Sequence, residues 1–325
     1  MTRRPLPMTA PADSSIAAQF AADVRYYLSL TPRQLPSEYF YDALGSALFD
    51  AICRLPWYGI TRAESRLLTA HSADIFWQVG GLTTIVELGP GNGDKLRLLL
   101  EAADVRGVLN VHLVDVSPHA LDLAARTIAE HAGVSVVGHC ATYDDGLREA
   151  MAHTSGRSLI AFLGSNIGNF DPPGAAAFLS NVRRSVSRHD ALLVGVDLVK
   201  PERALLLAYD DPLGVTAAFN RNLLVRINRE LGAGFDVDQF RHQAVWNGSA
   251  SRVEMHLVAR GAQRVRVDHA ELDVHLEAGE RIWTESSYKY SPDGITALLR
   301  SCGFAVTVQW IDEDDRFALT LAEAV

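Results

Sequence analysis

Apolar residues recur at helical spacing from Ile16 to about Leu30, and Thr31-Pro32 ends the run, because proline has no amide proton with which to continue a helix. A second helical stretch is predicted from Tyr39 to Leu55, stopped by Pro56. A third runs from Arg62 to Val79 and closes on Gly80-Gly81, a pair suited to a left-handed cap. Ahead of these, residues 1–11 carry Pro5, Pro7 and Pro11 and read as a flexible arm. From Thr83 the pattern changes. Thr83–Leu88 is a short β-branched apolar run, and Val111–Asp115, Ser135–Gly138, Leu159–Gly164 and Ala191–Val199 read as further strands. Helical patterns separate them at Asp94–Val105, Pro118–His131 and Pro173–Val186. Strands alternating with helices predict a parallel, doubly wound sheet.

After Lys200-Pro201 the alternation stops. Arg203 to Asn228 reads as mostly helical, and Arg252–Arg260 with Gln263–Val267 as a strand meander. Ser291-Pro292 opens another helix, with serine as N-cap and proline at the first helical position. Two strands, Ala305–Ile311 and Arg316–Leu321, close the chain around the acidic turn Asp312–Asp315. The expected fold class is α/β: a doubly wound domain from residues 64–199 and 290–325, with a smaller α+β domain from residues 12–63 and 200–289.

Composition narrows the function. A chain of 325 residues with 48% hydrophobic and 21% charged residues is an ordinary globular mix, too apolar for a disordered one. Thirty basic residues against 39 acidic ones leave a net charge of −9, so neither nucleic acid nor an anionic membrane is expected as a partner. Cys53, Cys140 and Cys302 lie far apart with no Cys/His cluster, which predicts neither a disulfide framework nor a metal site. No apolar run is long enough for a membrane helix, and Met1–Ser15 has no apolar core of a secretory signal. A soluble, cytoplasmic protein is expected, acting as a monomer on a small molecule.

The first strand breaks into Glu87-Leu88-Gly89-Pro90-Gly91-Asn92-Gly93, and a helical pattern follows at once. Glycines there let backbone approach a ligand closely, and the helix start offers unpaired N–H groups. The dinucleotide spacing G-x-G-x-x-G is not kept, since the position three after Gly91 is Asp94, and a nicotinamide-dependent dehydrogenase is the weaker reading. The spacing E-x-G-x-G-x-G resembles motif I of class I methyltransferases that use S-adenosylmethionine. Asp115, ending the second strand, is placed to accept both ribose hydroxyls. A tight glycine turn and a strand-end aspartate are the plainer alternative.

The resemblance extends over nearly the whole chain. Phe40–Asp50, Leu55-Pro56-Trp57-Tyr58, Thr61-Arg62-Ala63-Glu64, Gly164–Asn169, Asp197–Lys200, Ala208–Asp211, Gly214–Asn222 and Ile282–Ser287 resemble the signatures of the L-histidine Nα-methyltransferases. These enzymes make hercynine, the trimethylbetaine of histidine, in ergothioneine biosynthesis. The resemblance implies a Rossmann-like sheet with an antiparallel last strand, and S-adenosylmethionine as methyl donor with S-adenosylhomocysteine as its product. It places Asn169 and Tyr209 at the substrate α-carboxylate and α-amine, with Gly164 and Asn166 beside that amine. Tyr41 and Phe49 match aromatic groups near the amine, so that Asn169, Tyr209 and Tyr41 form the implied catalytic set. Tyr58, Met255, Glu285 and Ser287 match positions around the imidazole. Glu87, Gly89, Gly91, Lys95, Asp115, Thr142 and Tyr143 match the cofactor site.

This chain departs from the family at Trp57, Gly59 and Ile60, at Asn166 in place of threonine, and at Thr142-Tyr143 in place of an Asp-Phe pair. Without the resemblance, Met255 and Phe49 read as core, Tyr209 as part of a solvated helix face, and Asn169 as turn chemistry. Nα-methylation of tryptophan, tyrosine or arginine is the alternative activity, and a silent binding protein for S-adenosylmethionine or an amino acid the alternative class.

Overall fold

The computed structural model describes residues 8–9, 13–101, 108–129, 131–152 and 154–325. The chain begins with β1 (Met8–Thr9), α1 (Asp13–Ser29), β2 (Arg33–Gln34), α2 (Ala43–Ile52) and α3 (Gly59–Val79). The predicted alternation follows. It comprises β3 (Leu82–Leu88), α4 (Asp94–Leu100), β4 (Leu109–Asp115), α5 (Pro118–Ile128), β5 (Val134–Cys140), α6 (Tyr143–Met151), β6 (Arg157–Phe162), α7 (Pro172–Ser185) and β7 (Ala191–Asp197). Next come α8 (Glu202–Tyr209), α9 (Val215–Leu231), β8 (Phe240–Asn247), β9 (Arg252–Ala259), β10 (Gln263–Val267), β11 (Leu272–Leu276) and β12 (Arg281–Tyr288). The last elements are α10 (Pro292–Ser301), β13 (Phe304–Asp312) and β14 (Phe317–Ala324).

Cα packing divides the chain into two compact units: one from Ile60–Val199 and Lys289–Val325 with β1, the other from Pro11–Gly59 and Lys200–Tyr288. Among the described residues of the first, eight strands form one sheet in the order β1-β5-β4-β3-β6-β7-β14-β13. Strands β3 to β7 pair in parallel, and β14 pairs antiparallel with both β7 and β13. This is the class I methyltransferase arrangement, in which the antiparallel β14 is inserted beside β7. Every residue of β7 is buried, as expected of a central strand covered on both faces. Val86, Phe162, Phe178, Val194, Ile295 and Phe304 belong to the core packed around it. Ser291 caps α10 as predicted, its hydroxyl accepting from the Gly294 amide.

In the second unit, β2-β12-β9-β8 form a sheet and β10-β11 a separate hairpin. Helix α9 packs on this sheet and on α2.

Several elements differ from the sequence reading. The stretch Tyr39–Leu55 is not one helix: a 3-10 turn at Ser37–Phe40 precedes α2, and the Asp42 carboxylate caps α2 by accepting from the Gly45 amide at 2.7 Å. Arg203–Asn228 is broken where Asp211 accepts from the amides of Leu213, Val215 and Thr216. Helix α6 was not predicted, because Tyr143-Asp144-Asp145-Gly146 has the composition of a turn. There Gly146 is required by packing, since a Cβ would collide with the Val114 side chain. The expected meander does not form: β9 pairs with β8 and β12, and β10 turns away to pair with β11. Met8–Thr9, expected within a flexible arm, pair in parallel with Gly138 and His139. The remainder of that arm and the predicted end of the helix at Val105 lie outside the described residues. No helix among the described residues is long and apolar enough to cross a membrane.

Candidate active site

The glycine turn of the first unit is built by backbone constraints. Strand β3 ends at Leu88, and the Gly89 amide donates to the Val114 carbonyl at 2.8 Å. Gly89, Gly91 and Gly93 have φ of +74°, +56° and +81°, a region in which a side chain costs about 1–2 kcal/mol. A Cβ on Gly89 would lie 2.7 Å from Asn166 Nδ2 and 2.9 Å from the Tyr143 hydroxyl. On Gly91 it would meet nothing within 4 Å. That side of the turn is therefore uncovered backbone.

Three carboxyls gather below it. Asp115 ends β4, and its Oδ1 accepts from the Ser117 amide at 2.8 Å. Burial pushes its pKa up to about 6, against the pull of the Ser117 and Val116 amides. Glu87 is 1% exposed and its Oε2 has no hydrogen-bond partner among the described residues. Burial raises it to about 8; Lys95 opposes that rise, while Glu64 and Asp115 add to it. Glu64 is fully buried, accepts the Gly164 amide at 2.8 and 2.9 Å, and lies 3.1 Å from Lys95 Nζ. Glu64 stands in the Thr61–Glu64 signature, where the sequence alone assigns it no task. Only the fold brings residue 64 to residues 95 and 164.

Thr142 and Tyr143 are partly committed to other work. The exposed Thr142 hydroxyl caps α6, accepting from the Asp145 amide and donating to the Asp145 carboxylate. The Tyr143 ring packs edge-on against Phe162 and Phe178, with its hydroxyl end beside Gly89. After β6, Gly164 and Ser165 both have positive φ, +76° and +61°, and lead into the 3-10 turn Asn166–Asn169. Asn166 is half-buried and Asn169 exposed, beyond the carboxyl end of the strand, where doubly wound folds place ligands.

In the second unit the other expected residues converge. Tyr41 and Phe49 meet edge-on at 5.6 Å between centroids, Phe49 and Tyr58 at 6.2 Å, and Tyr58 and Tyr209 at 6.4 Å. Phe219, which stands in the Gly214–Asn222 signature with no role assigned from the sequence, underlies Phe40, Tyr41 and Phe49. Tyr58 is buried, and burial, Tyr209, Cys53, Tyr41 and Glu285 hold its hydroxyl protonated well above the usual range. The Tyr209 hydroxyl donates to Ser287 Oγ at 2.8 Å. Two residues expected at opposite ends of a substrate are thus neighbours. The Tyr209 carbonyl accepts from His242 Nε2 at 2.7 Å, and Asn220 Nδ2 donates to the other ring nitrogen. Burial lowers the His242 pKa, consistent with a neutral ring serving as donor and acceptor.

Glu285 and Met255 are register partners across β12 and β9, so their side chains share a face. Ser287, two residues on, points the same way. A bulge between Trp283 and Glu285 resets the register. It is held by Trp283 Nε1 donating to the Glu285 carbonyl at 2.8 Å and by Thr284 Oγ1 donating to the Met255 carbonyl at 3.0 Å.

Comparison with known proteins gives a consistent picture. The family model for histidine-specific, S-adenosylmethionine-dependent methyltransferases matches residues 20–324. Histidine N-alpha-methyltransferase from Mycolicibacterium smegmatis is 44% identical over 313 residues, covering 96% of this chain and 97% of that protein. The protein of the same name from Mycobacterium tuberculosis is 45% identical over 302 residues, 92% of this chain and 93% of its own length. Ergothioneine biosynthesis protein 1 of Neurospora crassa is 30% identical over 270 residues, which are 78% of this chain and 31% of that longer protein.

Proposed function

Because this chain belongs to the histidine-specific, S-adenosylmethionine-dependent methyltransferases, we propose that it methylates the α-amine of L-histidine three times in succession, ending at the betaine hercynine. The observation that carries the choice of histidine is the cross-strand pair of Glu285 and the buried Met255, with Ser287 on the same face. A carboxylate facing a substrate side chain favours imidazole, which donates a hydrogen bond and can carry positive charge. It disfavours an apolar group that would leave the charge desolvated and unpaired.

The first unit fits the methyl donor. Uncovered backbone at Gly91, Asp115 at a strand end, and the buried, unpartnered Glu87 oxygen suit a ribose and an aminoacyl group better than a plain turn would. When bound, the donor supplies an electrophilic methyl on a sulfonium. Asp115 accepts from the ribose hydroxyls, and Lys95 offers a cation to the donor's carboxylate. The protein's remaining work is orientation, worth roughly 7–11 kcal/mol when reacting atoms are held near attack geometry. Asn169 accepts from the substrate amine through its side-chain oxygen, which turns the lone pair outward. Tyr209 redirects its proton from Ser287 to the substrate carboxylate, a stronger acceptor than a serine hydroxyl. Each methylation removes a donor from the amine. Tyr41 and Phe49 suit this, since cation–π attraction survives conversion to a quaternary ammonium.

The test is direct. The protein is incubated with S-adenosylmethionine and, separately, L-histidine, L-tryptophan, L-tyrosine or L-arginine, and the products are read by mass spectrometry. Histidine carrying up to three added methyl groups is expected. Methylation of another amino acid in its place would overturn the choice of substrate, and no product at all would overturn the activity.

A further inference from the structure

We propose that Glu64 is a positioning residue for methyl transfer: its carboxylate ties the Gly164 amide to the Lys95 ammonium and so sets the place of both. The proposal rests on the reading above in one respect, the roles of Lys95 toward the donor and of Gly164 toward the substrate amine.

Three separate parts of the first unit meet at this carboxylate. Glu64 comes from α3, Lys95 from α4, and Gly164 from the turn that follows β6. Both Glu64 oxygens accept the single Gly164 amide, at 2.8 and 2.9 Å, and Oε2 also lies 3.1 Å from Lys95 Nζ. The arrangement is cut to fit. A Cβ on Gly164 would lie 2.5 Å from Lys95 Nζ, and a Cβ on Gly195 of β7 would collide with Glu64 Oε1. Two glycines, one at positive φ and one in the middle of a strand, leave room for this ion pair.

Stability alone is a poor reason for such a pair. Taking two charges out of water costs about as much as their attraction returns, and apolar replacements of like volume are commonly neutral or better. What the pair does supply is fixed geometry. Lys95 carries its ammonium on a long, partly exposed chain (its side chain is 24% exposed), and the Glu64 carboxylate at 3.1 Å fixes where that ammonium sits. The Gly164 amide opens the left-handed Gly164-Ser165 step that leads to Asn166 and Asn169. Holding that amide fixes where the turn begins.

The two partners can be separated by substitution. Glu64→Gln keeps the shape and one acceptor oxygen for the Gly164 amide, but its amide nitrogen cannot accept from an ammonium. Calorimetry should show S-adenosylmethionine bound about tenfold more weakly, while kcat at saturating donor falls no more than about threefold. The loss should disappear when Glu64→Gln is made in a Lys95→Met background, because residues acting through one another are not additive. Glu64→Ala takes the carboxylate from both partners and should lower kcat for histidine as well. If that variant does not fold, the Glu64→Gln and Lys95→Met cycle decides. A merely structural role lowers the melting temperature and the active fraction but leaves the Kd and KM of the folded molecules unchanged. Unchanged donor affinity in Glu64→Gln, or an equal loss in both backgrounds, would overturn the proposal. A wild-type protein that binds no S-adenosylmethionine would instead overturn the functional reading on which it rests.

Discussion

Burial, more than any nearby charge, sets the chemistry of the two strand-end carboxyls in the first unit. Asp115 titrates at about 6, and only its ionised form accepts from two hydroxyls at once. The Asp115 contribution to donor affinity should therefore decline as pH falls through 6. Asp115→Ala should weaken binding by roughly 1–3 kcal/mol and abolish that dependence; calorimetry across the pH range checks both. Glu87 behaves differently. Its carboxyl is raised from 4.5 to about 8 in the folded protein, so between those values the folded state holds a proton that the unfolded chain has released. Its contribution to stability is present below 4.5 and is lost as pH rises through 8. Glu87→Gln, neutral at every pH, should flatten the decline of the melting temperature over that window, as followed by circular dichroism. An unchanged slope would show that Glu87 is not the group responsible. Asp115 and the glycine turn were legible in the sequence because motif spacing and strand position carry them. Glu64 and Phe219 were not. Each looks like an ordinary helix residue until the fold brings distant segments to it.

At the level of elements, the bulge in β12 matters most for the substrate side. Trp283 stacks on Arg252, whose guanidinium lies 4.4 Å from the ring centroid, while its indole N–H holds the Glu285 carbonyl. Bulges beside active sites re-aim side chains, and this one sets Glu285 opposite Met255. Trp283→Phe keeps the stacking and removes the hydrogen bond. It should lower kcat/KM for histidine by about five- to tenfold, the equivalent of roughly 1 kcal/mol, with donor affinity unchanged. Equal loss for all amino acids, or none for histidine, would show that the bulge does not tune recognition. The parallel core was legible because apolar, β-branched runs alternated with helical periods. Helix α6 escaped because Asp144, Asp145 and Gly146 give it a turn's composition, and the pairing of β10 with β11 escaped because strand neighbours are chosen by tertiary packing. The break before α2 follows from the Asp42 cap, a signal visible in sequence but outweighed by the periodicity on both sides of it.

Across the whole molecule the expected tasks are divided by unit. The residues assigned to the methyl donor all lie in Ile60–Val199, and those assigned to the substrate side chain all lie in Pro11–Gly59 and Lys200–Tyr288. Substitutions at the residues assigned to the substrate side chain should therefore change which amino acid is used without changing donor affinity. Asn169, in the first unit, should behave in the opposite way: Asn169→Ala should depress turnover of every accepted amino acid and leave their order intact. The most direct measurement is kcat/KM for L-histidine and L-tryptophan on the wild type and on Glu285→Ala combined with Met255→Val. Recognition of imidazole by Glu285 and Met255 predicts a wild type that favours histidine and a double variant whose histidine-to-tryptophan ratio falls at least about tenfold. A wild type indifferent to histidine, or a ratio unmoved by the two substitutions, would contradict it.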